Sequence, residues 1–486
     1  MDRFWEVVGI YRDSNDRTYD GASDIEYFQH EGAAFLAVSS ESESTASIFK
    51  LDDTGAVTEL IDRYADINAT IAATDVTLMP RGDVIELVVS ARYAYRYNPM
   101  VIREGGDLGH YGKWTEFTEG YGTWTETTPL IRGEHNYFAA ASYIAPGLEI
   151  YQSHPKAQYE VMDRVTSIMG KPIGQVLSTA EFTRGDETFL FFASDNKNLL
   201  GSFSVDDAGQ LTARDVVMPS DDTGFNDVMA MDVVEVGSRD FLLAASWATN
   251  RVITYEIGAS GDLTEQSFIE DSRVSRFGKP RDIESFEVNG RHYAVIGGAD
   301  DGFSLLYIDD AGKLHLIQSF ENTMETTLKD VATLESVVDG MKVHLYIGSN
   351  QDGGFTHVVL DLTTIDAQIA RTGYINDRGN VMMDNDHGLE TPTQKIVNRL
   401  PTDADGALWV DETDPASVSG EADHFDFAEA GPAVPEPAPL VEMAEAVTQV
   451  METVSSAMHA AFDAVPLPDV GDHGLFAMDQ GDAFLV

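Results

Sequence analysis

The sequence predicts an all-β fold: a seven-bladed β-propeller, followed by an acidic, largely disordered C-terminal tail carrying one amphipathic helix. The first observation behind this is a five-residue apolar run that occurs seven times. It reads LAVSS at 36–40, ELVVS at 86–90, FAAAS at 138–142, LFFAS at 190–194, LLAAS at 242–246, AVIGG at 294–298 and LYIGS at 345–349. The second is its period. The runs end 50, 52, 52, 52, 52 and 51 residues apart, and self-similarity at such a spacing marks a repeat architecture. The third is what flanks each run, which completes a four-stranded unit. Four antiparallel strands per repeat, seven times over, build a propeller.

The runs are too short for helices and do not alternate, so they read as strands covered on both faces. About ten residues upstream of each lies a more polar strand, such as DIESFEV at 282–288. Asn289-Gly290 then gives a hairpin turn. A third strand follows the run, as in SIFKL at 47–51, GSFSV at 201–205 and SLLYI at 304–308. The turns DDTG at 52–55 and DDAG at 206–209 and 309–312 lead to a fourth strand.

Taken in order, residues 1–20 hold an extra strand, FWEVVGI, expected to pair with the last blade and close the ring, since closure removes exposed edges. A fourth strand of blade 7 near 368–375 is the alternative, which would make the N-terminal strand a fifth. Residues 21–376 are the propeller. Blade 2 is irregular, with Tyr93, Tyr95, Tyr97, Tyr111, Trp114, Tyr121 and Trp124 close together. They could stack on sugars or simply cover strand faces. Residues 377–438 form an acidic linker. Residues 439–486 carry a helical apolar stripe from Leu440 to Phe462 and end in GDAFLV. From 401 onward there is no Lys or Arg against 18 Asp or Glu.

Composition narrows the function. There are 31 Lys and Arg against 82 Asp and Glu, a formal charge of −51. Nucleic acid needs a basic surface and is an unexpected partner. No run has the length of a membrane span, and the charged N-terminus does not read as a cleaved signal. The chain has no Cys, which excludes disulfides, thiol catalysis and cysteine zinc sites.

The repeat unit, with runs such as LLAAS and turns of the DDAGQLT type, resembles the lactonase-like, YVTN-type seven-bladed propellers over about residues 20–376. Its copies are diverged, with no literal YVTN. That resemblance implies a fold shared by many activities. The tail, with HFDFAEA at 424–430, the 439–463 helix and GDAFLV at 481–486, resembles the type I secretion targets of Gram-negative bacteria. It lacks their glycine-rich calcium repeats. This resemblance implies type I export machinery as a partner and an extracellular location, with the cytoplasm as runner-up.

Common catalytic patterns are absent: no G-x-S-x-G elbow, no H-E-x-x-H, no P-loop. Asp384-Asn385-Asp386-His387-Gly388 starts like a calcium loop but has Lys395 where that loop needs Glu. His135, His292 and His344 fall at unequal offsets. Two sets remain. Asp24, Asp75, Asp227, Asp282 and Asp330 lie near the starts of first strands. Around a channel mouth they could hold a divalent cation such as calcium and polarise a lactone carbonyl; the plainer alternative is turn capping. Arg273, Arg276, Lys279 and Arg281 crowd the loop entering blade 6, with Lys171 and Lys329 in equivalent loops. They suit a small anionic molecule, and a carbohydrate is the other ligand expected at the channel face; the alternative is pairing with the chain's own carboxylates. The leading expectation is a secreted binding or surface-interaction protein with its ligand at the channel face. The alternative is an extracellular metal-dependent lactonase-like hydrolase.

Overall fold

A computed structural model describes residues 4–12 and 21–382, apart from short stretches within the latter. It contains seven four-stranded antiparallel sheets, with inner strands Ala22–His30, Ala73–Arg81, Trp124–Arg132, Val176–Arg184, Val228–Val236, Pro280–Val288 and Val331–Asp339. Each inner strand packs beside the next, and that of blade 7 beside that of blade 1, so the ring is closed. The architecture is the expected seven-bladed propeller. Residues 383–486, including Asp384–Gly388 and the stretch 439–463 expected to be helical, lie outside the described residues.

Every apolar run is the second strand of its blade. Leu242, Leu243, Ala244 and Ala245 are all fully buried, as a strand sandwiched between blades must be. The core accordingly divides into seven apolar clusters, one at each seam between neighbouring blades. The outer turns explain their sequence. Asp206 Oδ1 accepts the N–H groups of Ala208 and Gln210 at 2.9 and 2.8 Å, and Asp309 repeats this with Ala311 and Lys313. Gly312 takes φ +77°, and a Cβ there would lie 2.4 Å from the Phe241 ring of the previous blade. The turn residue thus serves seam packing as well as backbone conformation.

Blade 7 closes as expected from the chain's start. Strand Trp5–Arg12 pairs antiparallel with Gly354–Asp361 as its fourth strand. The alternative strand near 368–375 is corrected: Thr363–Thr372 is an α-helix, docked by buried Ile365 and Ile369 against the seam of blades 6 and 7. Its i, i+4 apolar spacing wins over the strand reading. In blade 2 the last two strands shrink to Met100–Ile102 and Leu108–His110. Tyr97 and Trp124 are buried in the seam of blades 2 and 3, while Tyr93 is exposed. Tyr95, Tyr111, Trp114 and Tyr121 lie outside the described residues.

Candidate functional site

Each inner strand starts with a β-bulge, as between Ala22 and Asp24 or Pro280 and Asp282. A bulge re-aims the next side chain. The residue after it is Asp24, Asp75, Glu126, Ser178, Ala230, Asp282 or Thr333, and two residues on stand Glu26, Thr77, Thr128, Ala180, Asp232, Glu284 and Glu335. Eight carboxylates therefore share two levels of the innermost strands, where the ring converges on its axis.

An inner strand is also a sheet edge, so its outward N–H groups need acceptors. The carboxylates supply them across the seams. Asp24 accepts the Val76 N–H at 3.0 Å, Asp75 that of Thr127 at 3.0 Å, and Glu126 that of Thr179 at 2.6 Å. Asp232 accepts from Ser285 at 2.6 Å, Asp282 from Leu334 at 2.6 Å, and Glu335 from Tyr27 of blade 1 at 2.9 Å. Six of the seven seams are fastened this way. At the seam of blades 4 and 5, where Ser178 and Ala180 occupy the two levels, the Ser178 hydroxyl donates instead to the Val228 carbonyl at 3.4 Å.

Burial, with the neighbouring charges second, raises these carboxyls. Burial, then the charge of Asp24, pushes the Asp75 carboxyl up to about 8. Burial pushes Asp282 up to about 7, against the pull of the Leu334 N–H. Burial also raises Asp24 and Asp232, and raises Glu26, Glu126, Glu284 and Glu335 well above the usual carboxylate range. The belt holds protons near neutrality.

The five aspartates singled out in the sequence divide. Asp24, Asp75 and Asp282 belong to the belt. Asp227 and Asp330 sit one residue before their inner strands, both at φ +53°, in the left-handed region that Asp tolerates. Their carbonyls accept the N–H groups of Trp247 and Asn350 at 2.8 and 3.0 Å. Asp227 is raised first by burial and then by a hydrogen bond with Asp195. Among the described residues no three His, Asp or Glu side chains converge on one metal-sized point. Sequence reading missed Glu26, Glu126, Asp232, Glu284 and Glu335. The signal for Glu126 was present, since Asp24, Asp75 and Glu126 fall 51 residues apart.

The basic set lies where the chain enters inner strands, Arg281 being the second residue of the strand Pro280–Val288. Arg281 forms two hydrogen bonds to Asp330, at 2.8 and 3.3 Å, and Arg276 is paired with Glu321. These two bind blade 6 to its own outer strand and to blade 7. Arg273, Lys171 and Lys329 are exposed. Lys279 is exposed too, at φ +53°, with its ammonium 4.6 Å from the centre of the Trp247 ring. Beside Arg273, Val274 is 54% exposed, and Met324 on the next loop is 96% exposed. The three early histidines stand apart. His135 bonds Gln152, His292 is buried, and His344 Nδ1 lies 3.0 Å from His357 Nε2 in the seam of blades 7 and 1.

No protein-family model and no curated protein sequence matches the chain. The structure matches 691 chains of solved proteins, and a shape so widely used fixes no activity. One of them is a Bacteroides fragilis protein named provisionally as a 6-phosphogluconolactonase. It is 14% identical, the match covers 65% of this chain and 87% of that one, and the TM-score is 0.48.

Proposed function

We propose that the protein is a secreted binding protein, exported by a type I system, whose loop face around the channel takes a small anionic molecule or an acidic carbohydrate. The observation that carries this reading is the state of the loop entering blade 6. Two of its cations, Arg276 and Arg281, are held by Glu321 and Asp330 and brace the loop. The other two, Arg273 and Lys279, remain exposed on it beside the apolar Val274. A braced loop presenting exposed cations next to an apolar surface is pre-organised for an anion with some carbon bulk. The Trp247 ring beneath the Lys279 ammonium helps to hold that cation in place.

Isothermal titration with uronic acid and sulfated oligosaccharides tests the reading. The double variant Arg273→Ala and Lys279→Ala is expected to lose binding while its melting curve stays unchanged. Binding that survives the double change contradicts the site. The hydrolase alternative draws on Asp24, Asp75 and Asp282 of the belt, which already accept N–H groups of the neighbouring blade, and on Asp227 and Asp330 in the turns before their strands. It predicts chelator-sensitive lactone turnover that calcium restores.

A further inference from the structure

The loops entering blades 6 and 7 are built alike, with one chemical difference at their bases. In blade 7 the Asn322 Oδ1 accepts from the Thr326 hydroxyl at 2.8 Å and the Leu328 N–H at 3.0 Å. Its amide nitrogen donates to Asp352 Oδ2 at 3.0 Å, and that oxygen also takes the Lys329 N–H at 3.0 Å. In blade 6 the equivalent of Asn322 is Asp271. Its Oδ1 accepts from the Ser275 hydroxyl at 2.7 Å and the Phe277 N–H at 3.3 Å, as Asn322 does. The equivalent of Asp352 is Asp300, which takes the Gly278 N–H. Asp271 Oδ2 and Asp300 Cγ both lie 3.4 Å from the point where a Gly278 Cβ would stand. Where blade 7 sets an amide donor against a carboxylate, blade 6 brings two carboxylates to the same glycine, Gly278, in the place of that pair. Asp300 Oδ1 is moreover buried with no hydrogen-bond partner.

A hydrogen is missing from this arrangement, and a proton is what supplies it. We propose that Asp300 keeps a proton and donates it to Asp271, latching the 271–279 loop, and that losing it as pH rises loosens this loop while the amide-latched loop of blade 7 stays closed. Two adjacent carboxylates cannot both ionise cheaply. Burial, then the charge of Asp271, pushes Asp300 up to about 6, which sets the window between about 5 and 7. The other charges facing the pair do not replace the proton. Arg276 pulls Asp300 down but is itself paired with Glu321. Lys279 lies over Trp247, and neighbouring Glu270 is paired with Arg251. That the latched loop carries the ligand rests on the reading above; the latch itself does not.

Amide hydrogen exchange of the full chain, read on peptides covering 268–282 and 320–332 and corrected for intrinsic pH dependence, tests it without any ligand. The exchange rate of the 271–279 loop relative to the 322–330 loop is expected to rise several-fold from pH 5 to pH 7.5. In Asp271→Asn, which rebuilds the blade 7 arrangement, the ratio is expected to stay flat at the low-pH value. A flat ratio in the wild type, or a rise that persists in Asp271→Asn, overturns the proposal. A working latch with no oligosaccharide binding would sink only the proposed ligand site.

Discussion

The carboxylate belt makes a prediction opposite to habit for an acidic protein: the ring loses stability as pH rises through neutrality. The sign follows from the raised values. A carboxyl whose folded value exceeds its unfolded one contributes stability fully below the unfolded value, and that stability is lost as pH rises through the folded one. For Asp75 the two limits are 3.8 and about 8. Each retained proton gives a slope of about 1.4 kcal/mol per pH unit. From pH 6 to pH 8, Asp75 alone therefore accounts for about 2 kcal/mol as an upper limit, reduced by solvent screening because the residue is partly exposed. Over a ring of this size, 2 kcal/mol is a shift of about 2–3 °C in melting temperature. His292, His344 and His357 act in the opposite sense, because burial lowers them. Their contribution is complete once the unfolded imidazole has lost its proton near 6.5. The clean window is thus pH 6.5–8.5. Asp75→Asn keeps an oxygen for the Thr127 N–H and removes the titration. Melting curves by circular dichroism across the window should fall for the wild type and fall less for Asp75→Asn, so that the variant gains on the wild type with pH. Equal slopes, or wild-type stability rising from pH 7 to 8, would refute the reasoning.

Further outcomes follow from other parts of the ring. Glu335→Ala leaves the Tyr27 N–H without its acceptor at the closing seam and should cost about 1–3 kcal/mol, read by urea unfolding at pH 6. Gly354→Ala meets φ +129° and a backbone oxygen of Tyr11 only 2.0 Å from the new Cβ, so it should displace the closing strand. Protease resistance of residues 4–12 would be lost, and unchanged resistance would contradict the closure. Removing residues 1–12 exposes the Gly354–Asp361 edge and should give concentration-dependent aggregation in light scattering. Deleting 401–486 should leave a folded propeller inside the producing cell, and normal secretion would count against the export reading.

The propeller was legible because its signal is periodic: seven covered strands at near-constant spacing admit few other architectures. Ring closure was half legible, since FWEVVGI reads as a strand but its partner is set by tertiary contact. The belt was largely hidden. Asp24, Asp75 and Asp282 stood out as aspartates near strand starts, but so did Asp227 and Asp330, which serve a left-handed turn. Telling them apart needs the bulge, which shifts the strand's facing by one residue and leaves no mark in composition. The fate of the blade 6 cations was equally invisible. Arg276 and Arg281 find partners 45 and 49 residues away, one on the outer strand of the same blade and one across the seam to blade 7, and only the fold brings either pair together.

The most direct test of the account is a ligand footprint. Hydrogen exchange with and without a saturating uronic acid oligosaccharide, at pH 5.5, is expected to protect peptides spanning 271–281, 171 and 329 and to leave the outer turns at 206–209 and 309–312 unchanged. Protection confined to the outer turns or blade edges would contradict a binding site on the loop face.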